Sequence, residues 1–136
     1  MSYTRTIPVE FNHCDPAGIV FYPRYFEMTN SVVENFFAEV VDHSFARMMQ
    51  DGSGVPTARI EANFKAPSRL GDRLEFALQV VRVGGASVNF LLTARCLGEV
   101  RIVVDLTLVW VGAGRALPWP DAIRSRLIGC MEGSPT

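Results

Sequence analysis

Asp15 is followed by proline, alanine and glycine, and the chain then runs Ile19-Val20-Phe21-Tyr22-Pro23 into an apolar-periodic stretch. Proline fixes φ and glycine admits conformations closed to other residues, so Asp15-Pro16-Ala17-Gly18 reads as a tight turn. The turn sits just ahead of a helix, whose first N–H groups lack intrahelical partners. A carboxylate there is placed to act on a carbonyl held by those donors. An aspartate before proline also caps turns through its side-chain oxygen, so a structural role stands beside the chemical one.

The neighbouring residues offer less. His13 and Cys14 suggest a nucleophilic pair, but adjacent residues on an extended strand point to opposite faces. Cys14 is read as a packing residue. His13 shares a side with Asp15, as a partner for the acid or as a surface histidine. His13, Asp15 and the distant His43 lack metal-ligand spacing, so no metal site is expected.

These residues need elements to hold them. Residues 3–12 read as a first strand. From Arg24 to Val41 the apolar positions form one wide helical stripe, with Pro23 suited to the first helical position. Residues 44–50 suit a short second helix before a glycine-rich loop at 52–54. The period then changes from 3.6 to 2. Thr57, Arg59, Glu61, Asn63 and Lys65 alternate with Ala58, Ile60, Ala62, Phe64 and Ala66, a half-buried strand. Strands over 73–83, 87–96 and 100–111 follow, with Gly84-Gly85 and Gly98-Glu99 closing antiparallel hairpins. A short helix after Pro120 completes the chain. The fold class is α+β, an antiparallel sheet of about five strands wrapped around one long central helix. One domain over 1–132 is expected, with a disordered tail at 133–136.

Hydrophobic residues make up 49% and charged residues 20% of the 136, as expected of a globular protein with one core. The net charge of −1 gives no footprint for nucleic acid or a charged membrane surface. No apolar run is long enough to span a bilayer, and residues 1–10 carry no export-signal pattern. Cys14, Cys96 and Cys130 lack the count and spacing of a disulfide framework, so a reducing, cytoplasmic setting is the simplest inference. Val81, Leu91, Val103, Val109 and Val111 fall out of phase with the core set, and apolar area on an outer sheet face marks a subunit interface.

Phe11, then Cys14-Asp15-Pro16-Ala17-Gly18-Ile19-Val20-Phe21-Tyr22-Pro23 with Tyr25 and Phe26, resemble the 4-hydroxybenzoyl-CoA thioesterase family of the hot-dog fold. The resemblance implies hydrolysis of an acyl-CoA thioester without a cofactor, CoA being part of the substrate. Asp15 matches the family's catalytic carboxylate, Tyr22 the position whose backbone N–H polarises the carbonyl, and Gly18 the turn glycine. It also implies a homodimer or homotetramer with sites at the interface, and polar groups on this part of the helix that read the acyl group. Asn30, at the edge of the stripe, is the candidate for that role, and Thr57 a weaker one. Among the basic residues Lys65, Arg69, Arg73, Arg82, Arg95 and Arg101, one or two suit CoA phosphates. Two other functions fit the fold. One is a non-catalytic acyl-CoA or acyl-carrier binding module. The other is a hot-dog dehydratase or hydratase, which needs a paired histidine and acid such as His13 with Glu34.

Overall fold

The computed structural model describes residues 2–132, so the tail at 133–136 lies outside the described residues. The elements are β1 (Tyr3–Pro8), α1 (Arg24–Phe36), α2 (Phe45–Asp51), β2 (Ser53–Gly54), β3 (Thr57–Phe64), β4 (Arg73–Val83), β5 (Ser87–Cys96), β6 (Glu99–Val109), β7 (Val111–Gly112), β8 (Arg115–Ala116) and α3 (Asp121–Glu132). Five strands form one antiparallel sheet in the order β1-β4-β5-β6-β3.

Alternation decides what the sheet buries. Leu74, Phe76, Leu78 and Val80 of β4, Val88, Phe90 and Leu92 of β5, and Ile102, Val104, Leu106 and Leu108 of β6 turn to one face and are buried. Met28, Val32, Val33 and Phe36 of α1 close over them, with Phe36 edge-on to Phe90 at 5.4 Å. Each such side chain withdrawn from water contributes roughly 1.5–3 kcal/mol. Val81, on the opposite face at a bulge between Val80 and Arg82, is exposed, while Leu91, Val103, Val109 and Val111 are half-buried.

The stripe over 24–41 is helical throughout, but not as one uninterrupted α-helix. α1 has 13 residues, and Phe37–Val41 form a π-turn that Asp42 ends at φ +61. The extra residue in that turn shifts the phase of the stripe, so Phe36, Phe37 and Val41 are all buried. The second helix begins where expected, because the Ser44 hydroxyl accepts the Arg47 N–H at 3.1 Å.

Four local expectations are revised. The first strand stops at Pro8, because residues 11–13 form a 3₁₀ turn in which the Glu10 N–H donates to His13 Nδ1 at 2.9 Å. The β5–β6 turn is Leu97-Gly98, both with positive φ as a two-residue hairpin demands, and not Gly98-Glu99. The last long strand ends at Val109, and Ser53–Gly54 pair with Val111–Gly112 in a small second sheet. β3, expected to be half-buried, is the outer strand of the sheet and is largely exposed, Ile60 and Phe64 included.

Candidate active site

The segment from His13 to Phe21 folds as a narrow antiparallel ribbon. The Asp15 N–H donates to Ile19 O at 3.0 Å, the Gly18 N–H to Asp15 O at 2.9 Å and the Phe21 N–H to His13 O at 2.9 Å. Gly18 has φ +82, the left-handed geometry that a three-residue hairpin loop needs at this place. Cys14 and Val20 pair across the ribbon and pack on the core. Asp15 and Ile19 therefore share the opposite, accessible face.

The Asp15 carboxylate has two roles on its two oxygens. Oδ1 accepts the Ala17 N–H at 2.8 Å, which locks the turn. Among the described residues no donor reaches Oδ2. The turn-capping reading is thus correct for one oxygen, and the other is available to a ligand.

The chain enters α1 through a 3₁₀ turn that leaves one donor unused. Val20 N–H is taken by Ser68 O, Phe21 N–H by His13 O, and the N–H groups of Arg24, Tyr25 and Phe26 by the carbonyls of Phe21, Tyr22 and Pro23. Pro23 has no N–H. From Val20 to Phe26 the Tyr22 amide is therefore the single N–H without an acceptor among the described residues. Such a donor polarises a carbonyl; losing one costs about 3 kcal/mol of transition-state stabilisation where this has been measured. Tyr22 and Ile19 line one cavity of about 310 Å3 with Phe64 and Lys65. Asp15 is not part of that lining, but its N–H is bonded to the carbonyl of Ile19, which is.

A buried polar network braces the ribbon from behind. Ser68, fully buried, accepts at Oγ from Tyr25 Oη at 2.9 Å and from Arg101 Nη1 at 3.2 Å, and its carbonyl takes the Val20 N–H at 2.8 Å. Arg101 Nη1 also reaches Pro67 O at 3.0 Å and Asp72 Oδ2 at 2.7 Å. The Arg69 backbone N–H and then the Arg101 guanidinium hold the Asp72 carboxyl below the usual carboxylate range. Arg101 is therefore occupied internally and drops out as a CoA-phosphate ligand. Lys65 makes no ion pair among the described residues.

Asn30 and Thr57 come together. Both line a cavity of about 180 Å3 between α1 and β3, with Phe26, Val33 and Ile60. His13 does not join Asp15, because the 3₁₀ turn replaces the strand on which alternation placed them together. It borders a groove with Glu10 and Glu27, and Glu34 does not reach that groove. No group of three His, Cys, Asp or Glu side chains among the described residues is arranged to hold a metal ion.

A family model for the thioesterase-like superfamily matches residues 9–127. The chain belongs to that superfamily. No curated protein matches it in sequence. Among solved structures, a thioesterase complexed with coenzyme A and zinc from Thermus thermophilus is 26% identical, with TM-score 0.82 over 98% of this chain and 96% of its own. A gentisyl-coenzyme A thioesterase is 22% identical, with TM-score 0.86 over 92% of this chain and 99% of its own. A 1,4-dihydroxy-2-naphthoyl-CoA thioesterase from Synechocystis is 16% identical, with TM-score 0.87 over 94% and 96%. The fold is thus the α+β hot-dog arrangement of thioesterase-like proteins. In this thioesterase-like chain the sequence-read positions Asp15, Gly18 and Tyr22 fall on one ribbon. Ser68, Tyr25, Arg101 and Phe64 were missed as parts of the site's support, since only the three-dimensional fold brings them to it.

Proposed function

We propose that the protein hydrolyses an acyl-CoA thioester to the free acid and CoA, as the 4-hydroxybenzoyl-CoA thioesterase resemblance implies. The Tyr22 N–H holds the thioester carbonyl oxygen, and Asp15 acts as nucleophile or as general base for water. Water supplies the new C–O bond of the acid, by direct attack on the thioester or by opening a mixed anhydride formed on Asp15. The C–S bond breaks, and CoA leaves as the thiolate, which takes up the proton that water gives up. Thiolate is a good leaving group, so the reaction needs no metal and little general-acid help. The observation that carries this reading is the unpaired Tyr22 amide at the end of the ribbon that bears Asp15. Lys65, at the cavity beside Tyr22, is the cation best placed for CoA phosphate.

Asn30 and Thr57 are proposed to meet the far end of the acyl group. An engineered apolar cavity of about 150 Å3 admits benzene; the 180 Å3 space here suits a ring or a short aliphatic segment. Thiol release from acetyl-, hexanoyl-, benzoyl- and phenylacetyl-CoA tests the whole reading. Saturable hydrolysis of at least one is expected. Tight binding of all four without release would instead identify a binding module. The dehydratase reading has less support, since His13 and Glu34 lie apart.

A homodimer or homotetramer in the cytoplasm belongs to the same reading. The outer edge of β3 has no strand partner among the described residues, and Ile60 on it is exposed. Light scattering at micromolar concentration is expected to give twice or four times the monomer mass. Ile60→Lys should shift that mass toward the monomer. A monomeric wild type would overturn the assembly.

A further inference from the structure

The groove between α1 and β3 is interrupted. Tyr22 and Phe64 border the cavity of about 310 Å3 nearest the unpaired amide. Phe26, Asn30 and Thr57 border the smaller one of about 180 Å3 beyond it. The partition is an aromatic pair, Phe26 on the distal side and Phe64 on the proximal side. Their ring centroids are 6.5 Å apart and their planes inclined at 62°, an edge-to-face contact.

The two walls run in step. Phe26 and Asn30 are four residues apart on α1 and so share one side of the helix, and Tyr22 lies in the turn that leads into it. Phe64, Ala62 and Ile60 recur every second residue and share one face of β3. Phe64 also meets Tyr22 at 6.1 Å and Tyr25 at 5.9 Å, so its ring packs against residues that border both cavities. Phe64 is 50% exposed within one protomer, so its ring is not among those that fill the core.

We infer that Phe64 sets the size of acyl group the protein accepts, by closing the passage between the cavity beside Tyr22 and the cavity lined by Asn30 and Thr57. A short acyl group held at the Tyr22 amide stays on the near side. A long one must displace the ring to reach the distal polar pair. The inference rests on the acyl-CoA reading above and adds a residue to it.

The test measures kcat/KM for butyryl-, hexanoyl- and decanoyl-CoA with wild type, Phe64→Ala and Phe64→Tyr. Phe64→Ala should raise the decanoyl-to-butyryl ratio at least about tenfold, since a single methylene in an apolar pocket is worth about 10–200-fold. Phe64→Tyr, which keeps the ring, should leave the ratio near wild type. An unchanged ratio in Phe64→Ala, or an equal loss on every acyl group, would overturn the inference. Calorimetric binding of the thioethers S-butyl-CoA and S-decyl-CoA reads the passage without catalysis. A shift toward S-decyl-CoA in a protein that cleaves nothing would sink the hydrolase reading and keep the gate. Hydrolysis with no shift in either ratio would sink the gate alone, and failure of both thioethers to bind would sink both.

Discussion

Asp15→Asn is expected to lower kcat for thioester hydrolysis by about 10³-fold, the middle of the range for a positioned acid or base, with KM little changed. The choice of asparagine matters because Oδ1 of Asp15 accepts the Ala17 N–H. An asparagine carbonyl can accept the same bond, so the turn at Asp15–Gly18 stays closed while the negative charge and the nucleophilic oxygen are lost. Thermal stability should therefore shift by no more than about 0.5 kcal/mol, as for an ordinary surface replacement. Asp15→Ala removes the turn bond as well and should cost about 1 kcal/mol, with a similar loss of kcat. Matching kcat losses with different melting temperatures would separate the chemical role from the structural one. Asp15→Asn retaining hydrolysis within about tenfold of wild type would remove the proposed chemistry and leave Asp15 a turn residue.

Arg101→Met should destabilise the protein by about 3 kcal/mol, the lower end for breaking a buried ion pair from one side. The Arg101 side chain is 11% exposed, and Asp72, at 28%, keeps the Arg69 N–H after the change. Methionine preserves most of the packing volume, so the loss reports the bonds to Pro67, Ser68 and Asp72 together with the ion pair to the exposed Glu99. On a chain of this length the melting temperature should fall by about 10 °C. The pH dependence has a definite sign. A carboxyl depressed in the folded state contributes stability above its ordinary value of 3.8 and loses it as pH falls through the lower folded value. The gap between wild type and Arg101→Met should accordingly be full at neutral pH and narrow as the pH falls below about 5. An unchanged melting temperature at neutral pH would show that the brace contributes nothing.

Local chemistry explains what the sequence made legible. Asp15-Pro16-Ala17-Gly18 announces its turn because each residue has its own conformational reason to be there. The strand period brought β4 and β5 out at their bounds, and the helical stripe located α1 while hiding the π-turn at its end. Ser44 and Gly52 mark the limits of α2 by capping chemistry. What stayed hidden depends on which segments become neighbours. Alternation in β3 is the same whether the strand is central or outermost, so the exposure of Ile60 and Phe64 follows only from the order of the sheet. Arg101 looked like any basic strand residue until the loop carrying Ser68 and Asp72 folded against it. His13 was misplaced because a side-chain bond to the Glu10 amide outcompeted the extended backbone.

One wall of the ligand groove is α1, continuous with the ribbon that carries Asp15; the other is β3, some thirty residues later in the chain. Under the proposed function, bond cleavage is encoded in one uninterrupted stretch and the side facing it elsewhere. Substitutions at Thr57 or Phe64 would then change which acid is accepted while leaving the Asp15 turn and the Tyr22 amide in place.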